Sequence, residues 1–418
     1  MSTDKAICEH ESCTRGQAGP ILAQQQTGDF NCQTSQDRNK AELDDFWTIY
    51  RGTNMWTDEV FGHGDEALFW SSMGEGNGDM SRVAPDVNWK RITEVYSADH
   101  SLFGSSGIQH EDMRQGFIGN CWFISGASVL AEVPGRMEKV FLNDNAISAN
   151  GIYALNFFTL GMPHTIIVDD YLPLREAWWV ESGYTTFFAK VSEDKGVWGP
   201  LLEKAFAKYH GNYEHTIGGN PNYAVRTLSG APFYDEMHKN SDGSDAITLD
   251  DLWTLLSTHD QADDILQCGT SGTNHFTQGI QGLANGHAYS VIGVKELSTG
   301  EKLVKMRNPW GSEAFTGDWS DESSKWNDAN KAEAGWVQAN DGAFFMALED
   351  YHSQAAYTMV AKDVTDWFKA DFLKLNDTTG GNNSAAASWW CGAECTVHSF
   401  TLTSAVDQEV WVTAHTWD

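Results

Sequence analysis

The cysteine at position 121 is the side chain with the clearest potential for covalent chemistry. It follows a Gly-Asn pair and opens a mostly apolar stretch that ends before Pro134. That pattern predicts a helix from Asn120 to Glu132 with Cys121 in its first turn. A thiol at a helix start lies near unbonded backbone N–H groups and the positive end of the helix dipole, and both lower its pKa. Cys121 is therefore a candidate nucleophile.

Gln115 lies six residues before Cys121 in the same short stretch of sequence. If the intervening loop folds back over the helix start, the Gln115 side-chain amide points at the same place as the backbone N–H of Cys121. Two such donors would hold the negative oxygen that develops when a carbonyl carbon is attacked. The pair therefore predicts an oxyanion hole for acyl transfer.

A thiolate nucleophile needs a base, and His287 is the candidate. It follows Gly286 at the start of an apolar run that predicts a strand. Asn308, in Arg307-Asn-Pro-Trp-Gly, follows the next predicted strand, and its side chain could accept the imidazole N–H and orient the ring. Trp310 would shield that hydrogen bond from water.

Each of these residues also has an ordinary structural explanation. A single cysteine at a helix start, or a histidine on an apolar strand, is more often a buried core residue than a catalytic one. The sequence Asn-Pro-Trp-Gly by itself is a common turn. The order Cys, His, Asn, each in its own glycine-marked context, nevertheless favours the nucleophile, base and orienting residue of a cysteine protease over three separate coincidences.

Helices and strands must bring these residues together. A second helix is predicted from Gly199 to Tyr209, with Pro200 in its first turn. Strands are predicted at residues 153–158, 165–169, 287–294 and 302–307. Helical signals lie mainly before Gly218-Gly219 and strands dominate after it. We therefore expect two subdomains, residues 46–217 and 218–362, with the site between them.

Two terminal segments fall outside these subdomains. Residues 1–45 are polar with little apolar periodicity, which predicts a flexible polar leader. Residues 363–418 contain short alternating runs that indicate strands. A complete β-sandwich takes ~100 residues, so we expect the chain to stop inside a third domain.

Composition argues against several functions. The 418 residues include 58 acidic and 27 basic side chains, a net charge of −31, which is unlike the basic footprint of a nucleic-acid binder. The 18 Trp and 21 Phe predict a large folded core. No apolar run reaches the ~18 residues of a membrane span. The first residues lack a signal-peptide pattern and the seven cysteines are scattered, which predicts a cytoplasmic protein.

The stretches around these residues make the chain similar to the calpain family of papain-like cysteine proteases. The strongest matches are Gln115-Gly-Phe-Ile-Gly-Asn-Cys-Trp, Gly286-His-Ala-Tyr-Ser-Val and Arg307-Asn-Pro-Trp-Gly, within a resemblance from about residue 50 to 365. Papain itself fits less well, because its relatives carry a second cysteine where this chain has Ile118. The resemblance implies an α+β fold: a papain-like two-subdomain core, with a helical first half and a β-rich second half, and an incomplete calpain-type β-sandwich at 363–418.

The resemblance also implies an intracellular cysteine-type endopeptidase that cleaves protein substrates at a limited number of sites. An inhibitor or regulatory protein is a further expected partner. The implied roles are nucleophile for Cys121, base for His287, orienting residue for Asn308, oxyanion donor for Gln115 and shield for Trp310. One departure lies at Asn120, where the family usually has Asp. The loss of that negative charge should favour the thiolate.

Calpain cores bind two calcium ions, so the resemblance also implies calcium ligands. At the first site it implies the carbonyls near Ser105 and Gly107 and the carboxylate of Asp112. The position of a second carboxylate falls on Gly196, with Glu193 and Asp194 nearby.

At the second calcium site the resemblance implies Asp321 and Asp341. Its two glutamate positions fall on Ala314 and Ala343, although Glu313 is adjacent to the first. Because calcium prefers six to eight oxygen ligands, the missing carboxylates predict weakened calcium binding or activation by other means.

Two other functions remain as alternatives to a protease. A calpain-like module without catalytic activity would act as a scaffold or binding partner and hold the two halves misaligned. A calcium sensor without protease activity is disfavoured by the missing carboxylates.

Overall fold

The computed structural model describes residues 32–70, 79–159, 162–272, 279–313 and 315–363. The predicted β-sandwich after residue 363 and the first part of the predicted leader lie outside the described residues, as does Ala314. Within the described ranges, no helix is long and apolar enough to cross a membrane.

The helices of the described chain include both helices that the sequence predicts. In chain order they are α1 (Cys32–Tyr50), α2 (Asp65–Leu68), α3 (Asp79–Val83), α4 (Ile92–Val95), α5 (Cys121–Leu130), α6 (Trp198–His210), α7 (Pro221–Ser229), α8 (Leu249–Gln261), α9 (Asp328–Ala334) and α10 (Leu348–Gln354).

The strands include the four that the sequence predicts, with ends that differ by a few residues at most. They are β1 (Asn88–Arg91), β2 (Ile152–Thr159), β3 (Met162–Asp169), β4 (Tyr171–Glu176), β5 (Tyr184–Thr186), β6 (Phe233–Met237), β7 (Ile265–Thr270), β8 (Ala288–Glu296), β9 (Lys302–Arg307), β10 (Ala343–Ala347) and β11 (Ala355–Ala361). The mixture of helix and sheet confirms the α+β expectation in its coarse form.

Helix α1 departs from the predicted flexible leader. The leader was expected to extend to residue 45, whereas α1 begins at Cys32. Phe46 is fully buried in α1, with its ring beside those of Trp47 and Tyr50. It packs with residues of β2. The weak periodicity of residues 32–45 hides this helix, because tertiary packing of its aromatic end outweighs local sequence preference.

The first half of the core contains more β-structure than the sequence indicates. Strands β2 and β3 form an antiparallel pair, and β1, β4 and β5 form a three-stranded sheet. Helix α5 is buried along its whole length within the main apolar cluster of this half. Such a helix cannot be solvated on any face, which explains its mostly apolar sequence.

The second half is built on a six-stranded antiparallel sheet in the order β10-β9-β8-β7-β11-β6. Strand β8 begins directly after His287, and its neighbour β9 ends directly before Asn308. Since the two strands are antiparallel, with Ser290 opposite Arg307, the start of β8 and the end of β9 meet at one edge of the sheet.

The two halves contact each other through buried polar groups. The Ser290 hydroxyl on β8 donates to the backbone carbonyl of Ser125 on α5 at 3.0 Å. Helix α7 lies after the predicted boundary at 217, yet Ala224, Val225 and Leu228 belong to the same apolar cluster as α5. The boundary itself stays a prediction.

A buried ion pair holds the sheets of the first half to α6. Lys204 and Asp169 are both fully buried, and the Lys204 ammonium donates to the Asp169 carboxylate. The same ammonium donates to the Tyr171 carbonyl at 2.7 Å. The other Asp169 oxygen accepts the backbone N–H of Asp58 at 2.8 Å, which attaches the segment after α1.

Removing one member of this pair should destabilise the fold severely. Lys204→Met is expected to lower the free energy of unfolding by about 3–5 kcal/mol, because Asp169 would stay buried without its cation. The matched control is Lys195→Ala, which removes a solvent-exposed pair with Asp99 and should change stability little. Urea unfolding followed by tryptophan fluorescence measures both. Equal losses in the two variants would contradict the importance of the buried pair.

Candidate active site

Cys121 is the first residue of α5 and is almost completely buried, with 8% of its surface exposed. Burial raises the pKa of its thiol, and the backbone N–H groups of Ala288, Trp122 and Cys121 itself lower it by a smaller amount. The expectation of a lowered thiol pKa is therefore wrong for this arrangement, because desolvation outweighs the helix start. The influence of Ala288 places the sulfur beside the first residue of β8.

The side chain of Asn120 does not cap α5 but points into the core. Its amide nitrogen donates to a carboxylate oxygen of Glu203 on α6 at 2.8 Å, and the other oxygen of Glu203 accepts the backbone N–H of Ala189 at 2.8 Å. Both side chains are buried, and burial raises the pKa of Glu203 to about 7. The residue before the candidate nucleophile is thus hydrogen-bonded to a buried acid on α6, which the sequence pattern does not show.

His287 is buried and lies at the edge where β8 begins. Its Nε2 is 3.0 Å from the side-chain oxygen of Asn308. That same oxygen accepts the backbone N–H of Trp310 at 3.1 Å, and only the carbonyl end of the amide can accept from an N–H. Nε2 of His287 must then carry the proton, which makes Nδ1 the basic nitrogen of the neutral ring.

Aromatic rings enclose the His287 imidazole. The Trp310 ring lies over it with a centroid distance of 4.6 Å, and the Tyr289 ring meets it edge-on at 4.9 Å. Asn308 is 1% exposed. Water is therefore largely kept from the hydrogen bond between His287 and Asn308, as a shielding role for Trp310 requires.

Gln115 lies in the loop before α5 and is attached to the turn that contains Asn308. Its backbone N–H donates to the carbonyl of Pro309 at 2.8 Å. Its side-chain amide donates to the carbonyl of Ile118 at 2.6 Å, which leaves the second hydrogen of that amide for another acceptor. The structure thus brings the loop of Gln115, the start of α5 and the turn of Asn308 into one region.

Arg307 is a positioning residue that sequence reasoning missed. It is fully buried at the end of β9, one residue before Asn308. Its guanidinium donates to the carbonyls of Met113 and Glu111, each at 2.9 Å, and to the Ser128 hydroxyl at 3.0 Å. The only sequence signal was its place beside Asn308, since a buried arginine looks like any other arginine in a sequence.

The residues implied for the first calcium site lie around one loop. Asp112 is buried, and its carboxylate accepts the backbone N–H of Gln109 at 2.9 Å. Burial raises the pKa of Asp112 to about 6. Asp194 accepts the backbone N–H of Ser106 at 2.8 Å, whereas Glu193 pairs with Arg114. Asp194 is therefore the acid nearest to the loop of Ser105 and Gly107, and Gly196 contributes no side chain.

At the second calcium site the resemblance implied Asp321 and Asp341, and Glu313 is adjacent to the missing glutamate position at Ala314. The Glu313 carboxylate accepts the backbone N–H of Asp321 at 3.1 Å, and burial raises the pKa of Glu313 to about 7, helped by the charges of Asp321, Glu322 and Asp341. Ala343 is the first residue of β10. Within the described residues, however, no three His, Cys, Asp or Glu side chains are grouped closely enough to hold a metal ion.

Similarity to known proteins extends over most of the described chain. The family model described as calpain family cysteine protease matches residues 56–361. Calpain-14 of Homo sapiens is 30% identical over 302 residues, which cover 70% of this chain and 41% of that protein. The calpain-2 catalytic subunit of Bos taurus is 30% identical over 309 residues, 71% of this chain and 42% of that subunit.

A plant protein shows the same level of similarity. The calpain-type cysteine protease ADL1 of Oryza sativa subsp. japonica is 30% identical over 318 residues, 74% of this chain and 14% of that protein. The chain therefore spans less than half the length of each of these three relatives.

The buried carboxyl group of Glu203, which is hydrogen-bonded to Asn120, leads to a prediction about the pH dependence of stability. The pKa of Glu203 is about 7 in the folded protein and about 4.3 in an unfolded chain, so its contribution to stability is present at low pH and lost as pH rises through 7. Glu203→Gln removes this titration. Relative to the variant, the native protein should lose about 2–3 kcal/mol of unfolding free energy between pH 5 and pH 8.

Urea unfolding at the two pH values measures this loss. Glutamine suits the site, because its carbonyl can accept from Ala189 while its NH2 donates to a rotated Asn120 amide. The control is Glu94→Gln, an exposed position on α4, which should show no such dependence. A difference between Glu203→Gln and the native protein that does not vary with pH would show that Glu203 is already ionised at pH 5.

Proposed function

Since the chain belongs to the calpain family of cysteine proteases, we propose that it is an endopeptidase that hydrolyses protein substrates at a limited number of sites. The observation that carries the proposal is the buried pair of His287 and Asn308 under Trp310. The pair lies at the edge of the sheet where β8 begins. Ala288, the residue after His287, contacts Cys121. This arrangement supports covalent catalysis by a thiol better than a purely structural role, which needs no oriented imidazole.

In the proposed reaction, Nδ1 of His287 removes the thiol proton as Cys121 attacks the substrate carbonyl carbon. The backbone N–H of Cys121 and the side-chain amide of Gln115 hold the resulting oxyanion. The imidazolium then gives its proton to the leaving amine, and the peptide bond breaks to leave a thioester. Water, deprotonated by His287, hydrolyses the thioester and restores the thiol.

Asn308 fixes the tautomer on which this proton transfer depends. Because its carbonyl accepts from Nε2–H, the lone pair of the neutral ring is on Nδ1. The same carbonyl stabilises the imidazolium that forms beside the thiolate. Burial of Cys121 raises its pKa, so the thiolate would form as an ion pair with His287 rather than alone in water.

Labelling by a thiol-directed epoxide tests the site in the full chain. Cys121 is expected to react, and the other described buried thiol, Cys268, serves as the internal control because burial raises its pKa to about 12. Asn308→Ala should lower kcat for casein cleavage by roughly 10²-fold or more, since the ring loses its orientation. No labelling of Cys121 and no cleavage of casein would overturn the protease and favour a binding module.

Calcium has two candidate sites, and the residues present fit each only in part. Asp112 and Asp194 flank the loop of Ser105 and Gly107, while Glu313 and Asp321 form the second group with Asp341 nearby. Calcium would neutralise these acids and supply extra links within each loop. Within the described residues neither site groups three carboxylates closely, which predicts weak binding.

We do not expect calcium to be needed for alignment of the two halves, because Arg307 and Ser290 already join them. The rate at which an epoxide labels Cys121 should be the same in chelator and in calcium. Titration calorimetry with calcium should show weak heats that Asp321→Asn reduces. Labelling that occurs only with calcium would show instead that the ion aligns the site.

A further inference from the structure

Two adjacent tryptophans are exposed at the tip of the hairpin that joins β4 and β5. Trp178 is 90% exposed and Trp179 is 58% exposed, with ring centroids 5.7 Å apart and ring planes at 89°. Tryptophan is normally among the more buried residues, and contiguous apolar surface of this kind marks interaction sites. Nothing in the proposed reaction uses these side chains.

The hairpin tip is a short loop that is closed by backbone hydrogen bonds. The N–H of Ala177 donates to the carbonyl of Gly183 at 2.8 Å, and the N–H of Gly183 donates to Val180 at 3.0 Å. Ala177 itself is fully buried. The loop therefore presents the two indoles from a fixed base, which lowers the entropy that a partner must remove on binding.

The charge around the two indoles favours a cationic partner. Glu176 and Glu181 flank them and are exposed, with Arg175 as the basic neighbour, and the chain carries a net charge of −31. Indole faces attract ammonium and guanidinium groups, and the carboxylates add to that attraction. The same charge disfavours an anionic membrane surface.

The hairpin is connected to the candidate active site. After β5 the chain reaches Phe187, whose carbonyl accepts the N–H of Phe117 at 3.1 Å and whose ring lies 5.3 Å from the ring of Phe117. Phe117 is two residues after Gln115 and is 49% exposed. At ~3.3 Å per residue, the strand from Gly183 to Phe187 spans about 13 Å. The base of the hairpin tip is therefore separated from Phe117 by only the length of a short extended segment.

We propose that Trp178 and Trp179, with Glu176 and Glu181, form a docking site for an unstructured lysine- or arginine-rich segment of the protein substrate. The proposal rests on the proposed protease function, because it names the class of substrate that reaches the site of Cys121. Docking would raise the local concentration of a cleavage sequence that lies several residues away in the same substrate.

Binding can be measured without cleavage in the full chain that carries Cys121→Ala. Fluorescence anisotropy of a labelled lysine-rich peptide should show binding that weakens with salt, and Trp178→Ala/Trp179→Ala should weaken it on the order of tenfold. A peptide with glutamine in place of lysine should bind weakly. The control is Val337→Ala, an apolar position that is 70% exposed, which should not affect binding.

Cleavage separates the docking site from the protease itself. The active chain should have a higher kcat/KM for a substrate that carries the lysine-rich segment than for the same cleavage sequence without it, mainly through KM. The double tryptophan variant should lose that preference. If the active chain and the double tryptophan variant prefer the lysine-rich substrate equally, the docking site is overturned but the protease is not. If the lysine-rich peptide binds but no substrate is cleaved, the protease is overturned but the docking site is not. Tryptophan-dependent binding to phosphatidylcholine vesicles, without peptide binding, would assign the tip to a lipid surface.

Discussion

The candidate site depends on the hydrogen bonds of the Arg307 guanidinium, which is buried between the two halves. It donates to the carbonyls of Glu111 and Met113 and to the hydroxyl of Ser128, so it joins the end of β9 to the loop before Gln115 and to α5. Burial lowers its pKa to about 10, which leaves it charged near neutral pH. Loss of the acceptors of a buried cation costs free energy, so these hydrogen bonds hold the two halves in one fixed arrangement.

This fixed arrangement explains why groups from distant parts of the chain meet. Asn308 follows Arg307 directly, and the carbonyl of Pro309 receives the N–H of Gln115. The antiparallel pairing of β8 with β9 then brings His287 to Asn308. The same region contains the buried pair of Glu203 and Asn120, the residue before Cys121. Polar groups thus occupy the interior where the halves meet, and each is constrained by partners on another element.

Much of the fold follows from local sequence patterns. The apolar run after Asn120 predicts α5, Pro200 predicts the start of α6, and alternating residues predict β2, β3, β8 and β9, all of which the structure contains. The sequence did not reveal α1, since its stability comes from the packing of Phe46 rather than from local periodicity. Nor did it reveal the sheet of β1, β4 and β5, whose strands are short and separated along the chain.

By itself, the sequence determined the residue types of the candidate site, the order of Cys121, His287 and Asn308, and the resemblance to calpains. Only the tertiary structure decided their environment. The thiol of Cys121 has a raised rather than a lowered pKa, because desolvation depends on what packs around α5. Glu313 accepts the backbone N–H of Asp321. The tautomer of His287 follows from the backbone N–H of Trp310, which identifies the oxygen of the Asn308 amide. Trp178 and Trp179 are exposed to solvent. Each of these outcomes depends on contacts between residues far apart in sequence, which spacing along a chain does not specify.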